Sequence, residues 1–394
     1  MPLRTIHDLN AKGKRILLRV DFNVPFDTEG EISDDTRIRE ALPTIQLLLQ
    51  KGAKIILISH LGRPEGKVVE ELRLDKVAKC LEMLMRKPIK KLNESIGEEV
   101  QKQVDQMQEG EIILLENIRF HAEEEKNDPR FIQQLAVLGD IFVNDGFGVS
   151  HRAHASSYGL GNIMSSYAGL LIEKEVNALT KLMENPEKPF TLIMGGAKIK
   201  DKLGILEKFI EKADFFLIGG GIANTFLSAK GIKVGNSLCE KDMADRAQEI
   251  EKKFEKNPEK FLLPVDATVA KEPGETVETQ VVTIENVTDD MKIFDIGPQT
   301  IEKYCEIIRA SKTIFWNGPM GLTEFTPFQN GTRDIATAIA QTACTSVIGG
   351  GDSSEIIKHL GFTDEQFSHI STGGGASLEF LSGKELPGLK VLYG

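Results

Sequence analysis

Cysteine is scarce in this chain. Four of its 394 residues are cysteine (Cys80, Cys239, Cys305 and Cys344), with no CxxC pair and no histidine cluster beside them. That spacing argues against a zinc site and a secreted disulfide scaffold, and a reducing cytoplasm is the expected setting. Long apolar runs are also lacking. The longest uncharged stretch, ASSYGLGNIMSSYAGLLI (155–172), is broken by glycine and serine and reads as a loop entering a helix, not as a membrane span. The opening MPLRTIHDLNAKGKR is charged from its fourth residue and has no apolar centre, so no secretion is expected. Surplus positive charge is absent: 48 Lys and Arg face 59 Asp and Glu, a net charge of −11 that excludes nucleic acid or anionic lipid as a partner by bulk electrostatics. Any bound anion then needs a local cationic site. Two phosphate signatures are missing as well. GxxxxGK[ST] occurs nowhere, and GGGIAN (219–224) puts Asn224 where GxGxxG requires its last glycine, so neither a P-loop NTPase nor a standard dinucleotide dehydrogenase is supported.

What is present is a repeated grammar. RILLRVDFNV, AKIILISHL, EIILLENIRF and DIFVNDGF are short, nearly continuous apolar runs of the kind that parallel strands show when helices cover both faces. Between them DTRIREALPTIQLLLQ, LDKVAKCLEMLMRK, IGEEVQKQVDQMQ and RFIQQLAVL carry apolar residues at helical spacing. After Met183 the pattern restarts with PFTLIMGG, DFFLIGGG, FLLPVDATV, KIFDIG, KTIFWNGP, TSVIGGG and HISTGGG. The chain is too long for one core. It is expected to form two similar doubly wound parallel-sheet α/β domains joined by a helical hinge, with the boundary near residue 170 on YAGLLIEKEVNALTKLM, whose Ile172, Val176, Leu179 and Leu182 form one stripe. Val391, Leu392 and Tyr393 mark a terminal segment that packs.

Ligands of open parallel sheets sit beyond the carboxyl ends of the strands. The two halves differ there. The first half offers Asp21 and Asn23, His60 and Arg63, Asn117 and Arg119, and Asn144 and Asp145 with His151, Arg152 and His154 close behind; Arg37 lies nearby in a helical segment. Arginine forks match carboxylate and phosphate, so this set points to a small multiply charged acid, although any one of its members has an ordinary reading as a surface ion pair or a structural hydrogen bonder. The second half offers glycines: 195–196, 219–221, Gly297, Gly318 after Asn317, 349–351 and 373–375. Repeated glycine at strand ends lets backbone N–H groups approach phosphate, which points to a nucleotide, while a single pair is only a turn. Lys198 and Lys202 are expected on one face of a helix start, meeting phosphate or solvent. Asp352 reads as a metal ligand beside phosphate or as a helix N-cap. A nicotinamide dehydrogenase and a non-enzymatic anion-binding scaffold are the competing readings.

Taken together, RVDFNVP, SHLGRP, LENIRFH, NDGFGVSHRAHAS, MGGAKIKDKL, WNGPMG, GGGDS and STGGGASLE resemble the phosphoglycerate kinase family in order and spacing from Arg19 to Glu379. The resemblance implies an N-terminal phosphoglycerate domain (1–170) on which the tail 380–394 packs back, and a C-terminal nucleotide domain (171–379). It implies reversible transfer of the acyl phosphate of 1,3-bisphosphoglycerate to MgADP, giving 3-phosphoglycerate and ATP in glycolysis and gluconeogenesis, by direct in-line transfer after hinge closure in a cytoplasmic monomer. By the same resemblance Asp21, Phe22, Asn23, Arg37, His60, Leu61, Gly62, Arg63, Arg119 and Arg152 hold the acid. Lys202, Gly220, Gly297, Asn317, Glu324, Gly350, Gly351, Asp352 and Ser353 hold the nucleotide, Asp352 the Mg²⁺, and Arg37, Lys198 and Lys202 carry catalysis. Gly146 departs from a frequent alanine, and GLTEF from GVFE.

Overall fold

In the computed structural model, residues 2–394 are described, apart from the side chain of Asp352. The chain divides into two compact units, residues 1–177 with 385–394, and residues 178–384. The division falls within the helix Leu170–Glu184, on which Ile172, Val176, Leu179 and Leu182 are all buried.

The first unit is built on a six-stranded sheet of β1 (Arg15–Arg19), β2 (Lys54–Ile58), β3 (Lys90–Lys91), β4 (Ile112–Leu114), β5 (Ile141–Asn144) and β6 (Ser166–Ala168), ordered β3-β4-β2-β1-β5-β6 with every pair parallel. The two-residue period of a strand explains the unbroken apolar runs. Ile16, Leu18, Ile55 and Leu57 enter one core, whereas Leu17, Ile56, Ile58 and Phe142 enter the core on the opposite face. Because β4, β2, β1 and β5 are neighbours, the four polar strand ends picked out in the sequence lie side by side. The terminal residues 385–394 complete this unit: Arg4 N–H donates to Leu392 O (2.9 Å), and Asn144 Nδ2 donates to Gly388 O (3.0 Å).

The second unit repeats the plan with β7 (Phe190–Met194), β8 (Phe215–Ile218), β9 (Phe261–Leu262), β13 (Thr313–Asn317), β14 (Thr345–Gly349) and β15 (His369–Ile370), all parallel in the order β15-β14-β13-β7-β8-β9. Here one expectation is corrected. The runs DATVA and KIFDI do not belong to the parallel sheet. They form β10 (Asp266–Ala270) and β12 (Lys292–Ile296) of a separate antiparallel sheet, ordered β11-β10-β12 with β11 (Gln280–Thr283). Pro264, which has no N–H for a ladder, separates β9 from β10 within what reads as a single run.

Candidate functional site

At the carboxyl end of the first sheet the backbone loops are stitched together by side chains. Asn23 Oδ1 accepts from Gly62 N (2.8 Å), Asn117 bonds Leu61 through both N–H (3.2 Å) and C=O (2.7 Å), and Arg119 Nη1 donates to Gly62 O (2.9 Å). Gly62 has φ +64, and a Cβ there would lie 2.8 Å from Leu72, so this turn requires glycine. The sequence leaves open where Arg37 faces, and one ion pair answers it. Arg37 sits in the first turn of the helix Thr36–Gln50, and its Nη1 meets Asp21 Oδ2 at 2.6 Å, which brings it to the end of β1. Asp21, Asn23, Arg37, His60, Gly62 and Arg119 are thereby gathered in one basin. Arg152 bonds His151 (3.2 Å) and acts electrostatically on Arg119, whereas Arg63 is exposed. The side chains of Phe22 and Leu61 lie in the hydrophobic core, so only their backbones can meet a ligand.

A buried cation that the sequence reading missed lies beneath the basin. Arg19, the last residue of β1, is 1% exposed. Its Nε donates to Ser156 Oγ (2.8 Å), which donates in turn to the buried Glu124 carboxylate (2.6 Å); Nη1 donates to Val20 O; and Nη2 meets His60 Nδ1 at 3.2 Å. The signal for it was a lone arginine ending the apolar run RILLR.

The electrostatics follow from this crowding. Burial pushes His60 well below the usual histidine range, and Arg19, Arg119 and Arg37 reinforce the shift. His154 is lowered to about 3 by burial and then by Arg119 and Arg19. Burial, followed by Arg19, brings Arg119 down to about 10, so it stays cationic at neutral pH. Arg119 Nε is buried with no hydrogen-bond partner, although Glu125 Oε1 is 3.3 Å away. The positive charge of the basin therefore comes from arginine and not from histidine. An anion of matching size would relieve the mutual repulsion of these cations.

In the second unit the glycine strand ends lock against one another. Gly196 N–H donates to Pro319 O (2.8 Å), Gly220 N–H to Met320 O (3.0 Å) and Gly318 N–H to Ser353 Oγ (2.8 Å), while Asn317 Nδ2 donates to Gly349 O. Gly196, Gly220, Gly318 and Gly350 all have positive φ. Beside them a cavity of about 540 Å³ is lined by Gly220, Gly221, Leu238, Phe294, Thr323 and Glu324, among others. Its volume suits a small-molecule ligand, and its walls are largely apolar, as the face of a nucleobase requires. No sequence motif announced the apolar wall, because its residues come from separated segments. Gly297 lies outside the cavity, and a Cβ there would strike the Asp266 carboxylate, which caps the following helix by accepting from Gln299 N and Thr300 N (both 2.9 Å).

Two further expectations change here. Lys198 and Lys202 do not share a helix face: the helix begins at Leu203, Lys202 is its N-cap, and Lys198 is exposed in the preceding turn. The reason is Glu240, whose carboxylate accepts from Ile199 N (2.5 Å) and Lys200 N (3.3 Å) and ties the segment down as a loop. Asp352 is not an N-cap. Gly350 holds that position before the helix Gly351–His359, and the Asp352 side chain, proposed as a metal ligand, lies outside the described residues. Next to Gly350, Asn317 Oδ1 is buried without a hydrogen-bond partner, an oxygen of the kind Mg²⁺ or a polar ligand takes. The described residues include no cluster of three His, Cys, Asp or Glu, and no helix among them is long and apolar enough to cross a membrane.

Burial pushes Asp295, on the cavity wall, up to about 8, against the bonds it accepts from Gly331 N (2.8 Å) and Ile296 N (2.9 Å). A raised folded-state pKa means that this group's contribution to stability is complete below about pH 4 and is lost as pH rises through 8. Asp295→Asn removes that titration. Its stability relative to wild type is expected to rise by about 1 kcal/mol per pH unit between pH 5 and 7. Urea midpoints measured across that range check it; a constant difference refutes it.

Comparison with known proteins matches the chain over nearly its whole length. The family model described as phosphoglycerate kinase matches residues 6–384. A protein named phosphoglycerate kinase from Dictyoglomus turgidum is 54% identical over 396 residues, covering 100% of this chain and 99% of that one. The structure of phosphoglycerate kinase from Coxiella burnetii is similar with a TM-score of 0.88 at 40% identity, covering 99% of each chain. That from Pyrococcus horikoshii gives 0.87 at 33%, covering 99% of this chain and 98% of the other. On the strength of these matches and of two parallel-sheet units with a cationic and a glycine-lined strand edge, the chain belongs to the phosphoglycerate kinase family and has that family's phosphotransferase activity in glycolysis.

Proposed function

We propose that the first unit binds the phosphoglycerate and the second the nucleotide, each at the carboxyl edge of its sheet. The observation that carries this assignment is the set of buried or partly buried arginines, Arg19, Arg37, Arg119 and Arg152, at or near the ends of the adjacent strands β1, β4 and β5 and around His60 at the end of β2, in a protein of net charge −11. Asp21, Asn23, Arg37, His60, Arg63, Arg119 and Arg152 are assigned to the acid, with Phe22, Leu61 and Gly62 contributing backbone. The cavity beside Gly220 takes the base, Glu324 the ribose, and Asn317 with Gly350, Gly351 and Ser353 the phosphate end. Gly297 is assigned to the nucleotide site next to the cavity-lining Ile296, where its lack of a Cβ leaves room for the Asp266 cap.

Asp352 is assigned to Mg²⁺. When bound, the ion neutralises charge on the nucleotide phosphates. Phosphoryl transfer needs positioning and charge stabilisation more than covalent chemistry, which fits a site with no activated nucleophile. Arg37 and the two lysines are proposed to meet the moving phosphoryl in an in-line transfer, once the hinge expected from the sequence has closed and excluded water. One chain holds both sets of groups, which supports a monomer.

Trp316 provides a direct test. It is the sole tryptophan, and its indole N–H donates to Gly318 O (2.8 Å) at the glycine edge. ADP is expected to change its fluorescence. Arg119→Ala is expected to weaken 3-phosphoglycerate at least tenfold, by about 1.4 kcal/mol or more, with the ADP titration unchanged. The opposite pattern would refute the assignment of the two units.

A further inference from the structure

Arg19 is fully engaged by protein. Nε, Nη1 and Nη2 each have a partner in Ser156, Val20 and His60, and the side chain is buried. An arginine in that position does not reach for a ligand; it acts on whatever it touches. What it touches is Nδ1 of His60, at 3.2 Å. A guanidinium has donors only, so the imidazole nitrogen facing it must be the acceptor and carry no proton. The other nearby group, Asp21 Oδ1, is 3.8 Å from Nδ1, beyond hydrogen-bond reach, and already accepts from Asn23 N (3.2 Å) while its partner oxygen holds Arg37. His60 is 3% exposed, and its Nε2 has no hydrogen-bond partner among the described residues.

We infer that Arg19 is a positioning residue that fixes His60 as the neutral Nε2–H tautomer, so that His60 offers one aimed N–H donor to an oxygen of the bound phosphoglycerate. This deepens the substrate assignment above and rests on it for the identity of the ligand. His60 is then neither a counter-charge nor a proton acceptor. The arginines supply charge, and the imidazole supplies direction, since a single N–H on a ring held from behind accepts an oxygen from one side only. The same guanidinium binds Ser156, which is bonded to Glu124 through both its N–H (2.9 Å) and its hydroxyl, so the ring is braced against the segment that follows HRAH.

Selective ¹⁵N labelling of the seven histidines reads the tautomer in the intact wild-type enzyme. His60, assigned by its loss in His60→Gln, is expected to show an unprotonated Nδ1 and a protonated Nε2 throughout pH 6 to 8. An Nδ1–H tautomer or an imidazolium overturns the inference. Addition of 3-phosphoglycerate should shift the Nε2 resonance; the expected tautomer with no response to the ligand overturns donation to the substrate together with the substrate assignment, and leaves only the tautomer fixed by Arg19. Arg19→Met, when folded, is expected to mix the tautomers and to raise KM for 3-phosphoglycerate about tenfold with KM for ADP unchanged. An unmixed tautomer there overturns the role of Arg19. If Arg19→Met does not fold, two variants at His60 carry the same question. Glutamine reaches the Nε2 position with an N–H and asparagine does not, so KM for 3-phosphoglycerate should rise about tenfold more in His60→Asn than in His60→Gln. Equal values overturn it.

Discussion

Replacement of Arg37 by alanine is expected to lower kcat by about two orders of magnitude or more at saturating substrates. Arg37 is 30% exposed at its side chain and paired with Asp21, which is 9% exposed, so its charge is held at the rim of the basin, half committed to protein and half available. Its removal has two effects. On the proposed role a donor to the transferring phosphoryl is lost, and the Asp21 carboxylate is left without its cation. Arg37→Lys separates them: it restores a charge to Asp21 but cannot fork, so kcat should recover only partly. Steady-state rates of ATP formation from 1,3-bisphosphoglycerate and MgADP, with unfolding curves to verify the fold, make the measurement. A near-wild-type kcat in Arg37→Ala would remove this residue from catalysis.

The second large effect is expected at Gly318. Its φ is +88, and a Cβ there would fall 2.3 Å from Gly195 O, a backbone atom of the neighbouring strand end. Neither loop can yield without breaking the Gly195 N–H bond to Asn317 O (2.9 Å), so the whole glycine edge must shift. Gly318→Ala is expected to raise KM for ADP about tenfold or more and to destabilise the second unit by about 2 kcal/mol or more, with KM for 3-phosphoglycerate unchanged. Gly351→Ala is the informative contrast. A Cβ at Gly351 meets nothing within 4 Å and needs no unusual backbone, so that variant should fold as wild type. Any loss of ADP affinity in it then reports contact with the ligand. Wild-type ADP binding in Gly318→Ala would show that the glycine edge serves packing alone.

These two sites also show how far the sequence could be read. The central parallel strands were legible because they lie between two cores: alternation disappears when both faces are buried, and RILLR or AKIILI then read as unbroken apolar runs, whereas the edge strands β3 and β6 carry no such run and were not picked out. The strand-end residues followed from the same pattern, since a polar group directly after such a run has only the carboxyl edge to occupy. What stayed hidden depended on contacts distant in sequence. Glu240 holds the Lys198 loop from forty positions away, so nothing in AKIKDK tells that the helix starts late. Pro264 divides one apolar run between two sheets, and which sheet takes the second piece is set by Lys292–Ile296. Arg19 was the least visible. A cation ending a strand reads as a surface charge until Ser156 and His60, from two other loops, are seen to enclose it.

The placement of the last ten residues bears on how the chain is made. Residues 385–394 belong to the first unit, pairing with Arg4 and bonding Asn144, while everything from 178 to 384 belongs to the second. In topological terms the second unit is an insertion within the first. A nascent chain emerging from the ribosome can finish the inserted unit while the outer one still lacks its closing segment. The carboxyl edge of the first sheet, whose β5 end is secured through Asn144 and Ser150 to Gly388, is therefore completed only after the whole inserted unit has been translated.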